Sequence, residues 1–243
     1  MIVSTRDAGL DVVMLDRPHK RNALTVPLWR DLTATIKRLG RLRQAAPVLL
    51  RGAGGYFCAG ADLEALAAAR ASGEAAREFA DTVVEAILTV HDSPRPVVAV
   101  VEAGAAGGGV ELTLACHARV AIGPVQLIFP FGRHGVVPDR FTTWRLAQLV
   151  GAETAQHLVT GDHRISGEEA MDIGLLDAIA VDRDEAFAMA VDLAGSPAPA
   201  TRWPGLAGEE SVTAAASPMV ASLLANSSSA SGRSWPTRVE DGP

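Results

Sequence analysis

Val97-Val98-Ala99-Val100-Val101 runs by way of Glu102 and Ala103 into Gly104-Ala105-Ala106-Gly107-Gly108-Gly109-Val110-Glu111-Leu112. The first five residues are apolar without alternation, the pattern of a strand buried on both faces. The glycines after it make a turn, and Val110–Cys116 reads as a helix. An earlier stretch repeats the order. Pro47-Val48-Leu49-Leu50-Arg51-Gly52 is a buried strand, Gly54–Asp62 is a loop, and Leu63–Val90 is mostly helical. Twice, then, a buried strand feeds a glycine turn that opens a helix, which indicates an α/β domain.

The flanking sequence extends this pattern. Asp11–Asp16 contains a short β-like run, and Arg17–Asn22 is a turn punctuated by Pro18 and Asn22. Leu28, Leu32, Ile36 and Leu39 mark an amphipathic helix. Val120-Ala121-Ile122 reads as a strand, followed by helices near 143–150, 151–158 and 166–174. The character changes near Gly195: of the last 49 residues, 29 are Gly, Ser, Pro or Ala. The division expected is a core at 1–194 and a partly flexible tail at 195–243, with one helix at most, Val212–Leu224. Trimming after about residue 226 is expected to leave the chain folded.

Composition bounds the function. The chain has 243 residues, 48% hydrophobic and 21% charged, which suits a globular protein of one large domain or two small ones. The net charge of −6, without basic clusters, argues against nucleic acid as a partner. No apolar run is long enough for a membrane span, and the N-terminus lacks the pattern of a secretory signal, so a cytoplasmic protein without a membrane partner is expected. Cys58 and Cys116 are too few for a disulfide framework. The histidines show no metal-ligand spacing, so no metal is expected.

The two glycine turns carry the chemical signal. Backbone N–H groups at a helix start lack intrahelical partners and can hold an oxyanion. Two such turns brought together would supply two donors to one oxygen, the requirement for stabilising an enolate or a tetrahedral oxyanion. Either turn taken alone could equally serve packing only.

Four stretches carry a resemblance: Arg17-Pro18-x-x-Arg21-Asn22-Ala23-Leu24, Phe57-Cys58-Ala59-Gly60-Ala61-Asp62-Leu63, Ser93–Val100 and Gly107–Leu112. With Gly135–Pro138 and Ala170–Leu175, they resemble the enoyl-CoA hydratase/isomerase (crotonase) superfamily in collinear order over roughly residues 8–182. The resemblance implies an α/β fold: a crotonase-like core of ββα units spiralling into two nearly perpendicular sheets, with outer helices. The C-terminal region is short and atypical for such a fold. It implies an acyl-CoA ligand whose thioester oxygen sits between the N–H groups of Ala59 and Gly108. Arg21, Ala23, Leu24, Ala61, Asp62 and Leu63 fall in stretches similar to those that line the adenine and pantetheine path. Coenzyme A enters as part of the substrate, with no separate cofactor. A homotrimer or dimer of trimers is implied, although the tail lacks the family's usual ending.

The acid/base set is where the chain departs from the pattern. Glu111, three residues after the oxyanion-hole glycine, matches the first of two hydratase glutamates. Phe131 stands where the second belongs, and a phenyl ring cannot pass a proton. Asp139, after Pro138, matches the catalytic aspartate of certain superfamily members, the ring-epoxide isomerases and 4-chlorobenzoyl-CoA dehalogenases. It reads equally as the N-cap of the next helix. His134 lies beside the expected pocket as a proton shuttle or a structural histidine. The expected function is an acyl-CoA hydratase/isomerase-type enzyme working through a thioester enolate, with Glu111 and Asp139 as its acids. The alternatives are a non-catalytic acyl-CoA-binding protein, or a specialised reaction such as decarboxylation, ring opening or dehalogenation.

Overall fold

The computed structural model describes residues 1–7, 9–42, 46–195 and 209–226. Strands β1 (Ile2–Asp7) and β2 (Leu10–Leu15) form an antiparallel pair, Ile2 opposite Leu15. A 3-10 turn at Pro18–Lys20 leads to helix α1 (Val26–Gly40), which starts with Pro27 in its first turn and buries Trp29, Leu32, Ile36 and Leu39 on one face. Strand β3 (Val48–Gly52), helices α2 (Leu63–Ala69) and α3 (Gly73–His91), strand β4 (Val97–Ala106), helix α4 (Gly108–Ala115) and strand β5 (Ala118–Phe129) follow. Next come α5 (Phe131–His134), α6 (Arg140–Val150), α7 (Ala152–Val159), β6 (His163–Ser166), α8 (Gly167–Asp172), β7 (Ala178–Ala180), α9 (Arg183–Gly195) and α10 (Glu209–Ala225).

The sheet runs β1-β2-β3-β4-β5-β6, and β7 also pairs with β5. Strands β2 to β5 are parallel neighbours, each reached through helix. That explains the unbroken apolar run of β4. Val97, Ala99 and Val101 face the main core with α3, while Val98 and Val100 face a second core completed by Ala186, Phe187 and Ala190 of α9.

The β4–β5 ladder is in two parts. Glu102 pairs with Ile122, but Gly104 pairs with Gln126, so β5 carries two extra residues at this register shift. Ala103 there has φ of 50°. The first part of β5 pairs with β7 and the second with β6. Beyond the shift, Cys58 bridges Ala105 and Leu24 bridges Ala61. This second set of pairings draws residues 22–24, 58–61 and 104–106 together beside the start of α4.

Several boundaries differ from the sequence reading. The glycine-rich turn expected at 104–109 shrinks to Gly107, because β4 runs to Ala106 and α4 starts at Gly108. The strand expected at Val120–Ile122 is 12 residues long. The long helix over 63–90 is broken at Arg70–Ser72, where Ser72 Oγ accepts the Ala75 N–H at 3.1 Å and starts α3. Strand β1 was not expected, being an edge strand with no buried residue to give it a pattern.

The tail also differs. Helix α10 packs along α3 and α6 and buries Ala215, Ala216, Met219 and Leu223 in the main core. The core thus takes in residues beyond the boundary expected at 194. The trimming expectation concerns residues 227–243, which lie outside the described ones. No described helix is long and apolar enough to cross a membrane.

Candidate active site

The two glycine turns meet. Gly60 has φ of 86°, and a Cβ placed on it would fall 2.6 Å from Ala106 O and 2.7 Å from Gly108 N. Gly109 lies so close to the first turn that a Cβ would sit 2.1 Å from Cys58 O. Only glycine permits either approach. The first expected donor is already engaged, since Ala59 N–H donates to Arg21 O at 2.9 Å. Gly60 N–H points at Cys58 Sγ, 3.3 Å away. The next residue is different. Among the described residues, Ala61 N–H and Gly108 N–H find no acceptor, and a Cβ on Gly108 would lie 3.5 Å from Ala61 N. The unengaged pair is therefore Ala61 and Gly108, and the expectation for Ala59 is corrected by two residues.

Glu111 lies in the first turn of α4, only 3% exposed, and its Oε1 has no hydrogen-bond partner. Burial, and then the charge of Asp139, hold its carboxyl well above the usual range. Asp139 itself is fully buried and caps α6. Its Oδ1 accepts Thr142 N–H at 3.0 Å and its Oδ2 accepts the Thr142 hydroxyl at 2.6 Å. Burial raises the Asp139 carboxyl, and these bonds offset part of the rise. Ionising Asp139 therefore makes Glu111 harder to ionise, and the two buried carboxyls resist carrying a charge each.

A narrow cavity of about 80 Å³ is lined by Gly108, Glu111, Ala59, Ala61, Leu63, Phe131 and His134 together with Trp29, Phe79 and Met219. Asp139 does not line it. A broader surface groove of about 800 Å³, between α1, α3 and α10, is edged by Arg30, Lys37, Glu78 and Glu85 and contains none of these groups.

Residues 5–202 match the family model described as "Enoyl-CoA hydratase/isomerase". The chain belongs to the enoyl-CoA hydratase/isomerase family. A probable enoyl-CoA hydratase of Mycobacterium tuberculosis is 32% identical over 180 residues, covering 74% of this chain and 70% of the relative. Another from the same organism is 32% identical over 213 residues, covering 87% and 81%. The crystal structure of an enoyl-CoA hydratase from Bacillus anthracis superposes with a TM-score of 0.74 at 29% identity, over 80% of this chain and 77% of that one. This is a family of enzymes, and the mixed α/β fold matches its solved members.

Of the other residues expected from the family resemblance, Leu63 and His134 line the cavity, while Arg21, Ala23, Leu24 and Asp62 lie around it. Arg21 has φ of 48° and lays its guanidinium 5.6 Å from the Tyr56 ring centroid. Ala23 and Leu24 are buried, and Leu24 fixes Ala61 by exchanging backbone bonds across Gly60 and Asp62. Asp62 is a structural acid that caps α2 and pairs with Arg17. Burial works to raise its carboxyl, but the Arg17 bond and the Glu64 N–H hold it below the usual range. Leu63 is 55% exposed at the cavity edge. His134 is held low, first by burial and then by Arg133.

Cys58 is no nucleophile. Burial pushes its thiol up to about 12, and Sγ bonds to Asn22 O at 3.3 Å. No cluster of three or more His, Cys, Asp or Glu among the described residues could hold a metal. Trp29, Phe79 and Met219 were not expected at the site. Trp29 and Phe79 sit on helix faces that read only as core, and Met219 lies in the segment taken for tail.

Proposed function

We propose that this protein is an acyl-CoA isomerase, moving a proton between two carbons of one bound thioester through an enolate. The observation that supports this reading is that Glu111, with its bare Oε1, is the one carboxyl among the residues lining the cavity, on the helix whose first N–H is unengaged. The thioester oxygen would lie between Ala61 N–H and Gly108 N–H. These neutral donors strengthen as charge moves onto the oxygen, so they favour the transition state over the ground state. For a 3-enoyl thioester, Glu111 takes a proton from C2 and returns it at C4, while the double bond moves from C3–C4 to C2–C3. Its raised affinity for the proton suits both halves of that shuttle.

Hydration asks for more. It needs a second group to activate water, and Phe131, which the family resemblance sets at that group's position, lines the cavity instead. Coenzyme A enters as part of the substrate, without a resident cofactor. Leu63 and the Arg21–Leu24 stretch would flank its pantetheine and adenine path. Assembly as a trimer or dimer of trimers, in the cytoplasm, belongs to the same proposal.

Incubation with 3-butenoyl-CoA in deuterated water tests the reading. Mass spectrometry is expected to show 2-butenoyl-CoA carrying deuterium at C2 or C4. 3-Hydroxybutyryl-CoA as the main product would establish hydration instead. Binding without turnover or exchange would make the chain a non-catalytic acyl-CoA binder.

A further inference from the structure

A second cavity, of about 310 Å³, lies at the opposite end of α4 from Gly108. It opens between the C-terminal ends of α3 and α4, the start of β4, and α6 and α9. Helix C-termini present spare carbonyls, which usually want donors. Here each of the last five carbonyls of this stretch already has a donor. Leu112 O accepts Cys116 Sγ at 3.2 Å, and Thr113 O accepts Cys116 N–H at 3.2 Å. Leu114 O accepts Arg145 Nε at 3.1 Å, Ala115 O takes a hydrogen bond from His91, and Cys116 O accepts Arg119 Nη1 at 3.1 Å.

What remains is a surplus of donors. Arg145 is 3% exposed and lines the cavity, and beyond Nε its guanidinium nitrogens have no acceptor among the described residues. The His117 imidazole lines the same cavity and likewise has no protein partner among those residues; only its backbone N–H is used, by Val97 O at 2.7 Å. The neighbouring charges cancel. Arg119 pairs with Asp177 at 2.6 Å, and Arg95 pairs with Asp11 at 2.7 Å. Asp92 is exposed and edges the neighbouring groove instead.

We propose that this cavity binds a small oxyanion, a carboxylate or phosphate group, held by the Nη donors of Arg145 with the His117 imidazole at the rim. A guanidinium presents parallel N–H bonds that match two oxygens of one such group. A buried charge with no acceptor on its outer nitrogens is costly, and an anion bound there reduces that cost. Burial and then Arg119 lower Arg145 to about 10, and the Asp177 charge, which is paired with Arg119, offsets only part of that fall. The volume is at the small end of ligand pockets, about 300–1,000 Å³. It leaves room for an organic portion behind the anionic group.

The test is calorimetric titration of the full chain with inorganic phosphate, and separately with acetate, at fixed ionic strength. Saturable one-to-one binding of at least one anion is expected. His117→Ala and Ala194→Trp, both at partly exposed rim positions, should each weaken it tenfold or more, and Arg145→Gln should abolish it. Tighter phosphate would identify a phosphorylated ligand, and tighter acetate a carboxylic acid. Absence of saturable binding by wild type, or binding left intact by both rim variants, would overturn the proposal.

Discussion

Glu111→Gln separates the chemical role of this residue from its structural cost. Glutamine keeps the size and the hydrogen bonding but cannot carry the proton. General acid–base catalysis contributes roughly 10²–10⁴-fold, which at about 1.36 kcal/mol per decade is about 3–5 kcal/mol of transition-state stabilisation. The variant should lose that much in both kcat and kcat/KM for 3-butenoyl-CoA, with octanoyl-CoA affinity nearly unchanged, because the N–H donors stay in place. Stability should move the other way. The folded state holds the Glu111 proton above the pH where the unfolded chain, with a value near 4.5, has released it. Folded protein then binds more protons than unfolded, so wild-type stability falls as pH rises through that window. Glutamine has no such loss. The variant should melt above wild type at neutral pH, and the difference should close below about pH 4.5. Isomerisation in deuterated water and melting curves across pH read the two arms. Turnover that survives the substitution would refute the site assignment. A melting difference that does not depend on pH would refute the retained proton.

Asp139→Asn keeps an acceptor for Thr142 N–H but removes the charge that helps raise Glu111. The acidic limb of the kcat/KM profile should shift to lower pH with less than about tenfold loss at neutral pH, whereas a loss matching Glu111→Gln would make Asp139 a second proton-transfer group. Asn22→Ala strips partners from Ala53 O at 2.9 Å, Tyr56 O at 2.6 Å and Arg17 N–H at 2.9 Å. Urea unfolding should register about 3–5 kcal/mol of destabilisation, since an unmet buried group costs roughly 1–3 and two of these three are part-buried and fall at the low end. Light scattering should give a trimer or hexamer of 25.3 kDa chains, and a monomer at micromolar concentration would count against the proposed assembly.

The fold was legible where residue type forces geometry. Val97–Val101 can only be a strand covered on both faces, and the Gly107–Gly109 run can only serve a close backbone approach, which Gly109 makes against Cys58. Glu111 follows from its place in the turn after those glycines. The pair of unengaged N–H groups was half legible. Gly108 follows from being first in α4, but the choice between Ala59 and Ala61 depends on Gly60, whose left-handed backbone sends their N–H groups to different neighbours. Two alanines two residues apart carry no label for that. Asp139 was ambiguous for a related reason: an N-cap and a buried carboxyl acting on Glu111 use the same atoms, and the structure shows the cap on Thr142 together with a charge that raises Glu111.

The tail was misread on a more general ground. Gly and Ser lower helix propensity, Ala keeps it but blurs the apolar stripe, and Pro218 inside a helix normally argues against one. Yet small residues are what allow two helices to approach closely. Ala215 and Ala216 are fully or nearly fully buried as α10 lies along α3, and that approach brings Met219 into the cavity wall with Phe79 and Val83 of α3. Low hydrophobic contrast thus left a helix legible at 212–224 but hid its place in the core, and one wall of the cavity depends on that contact in turn.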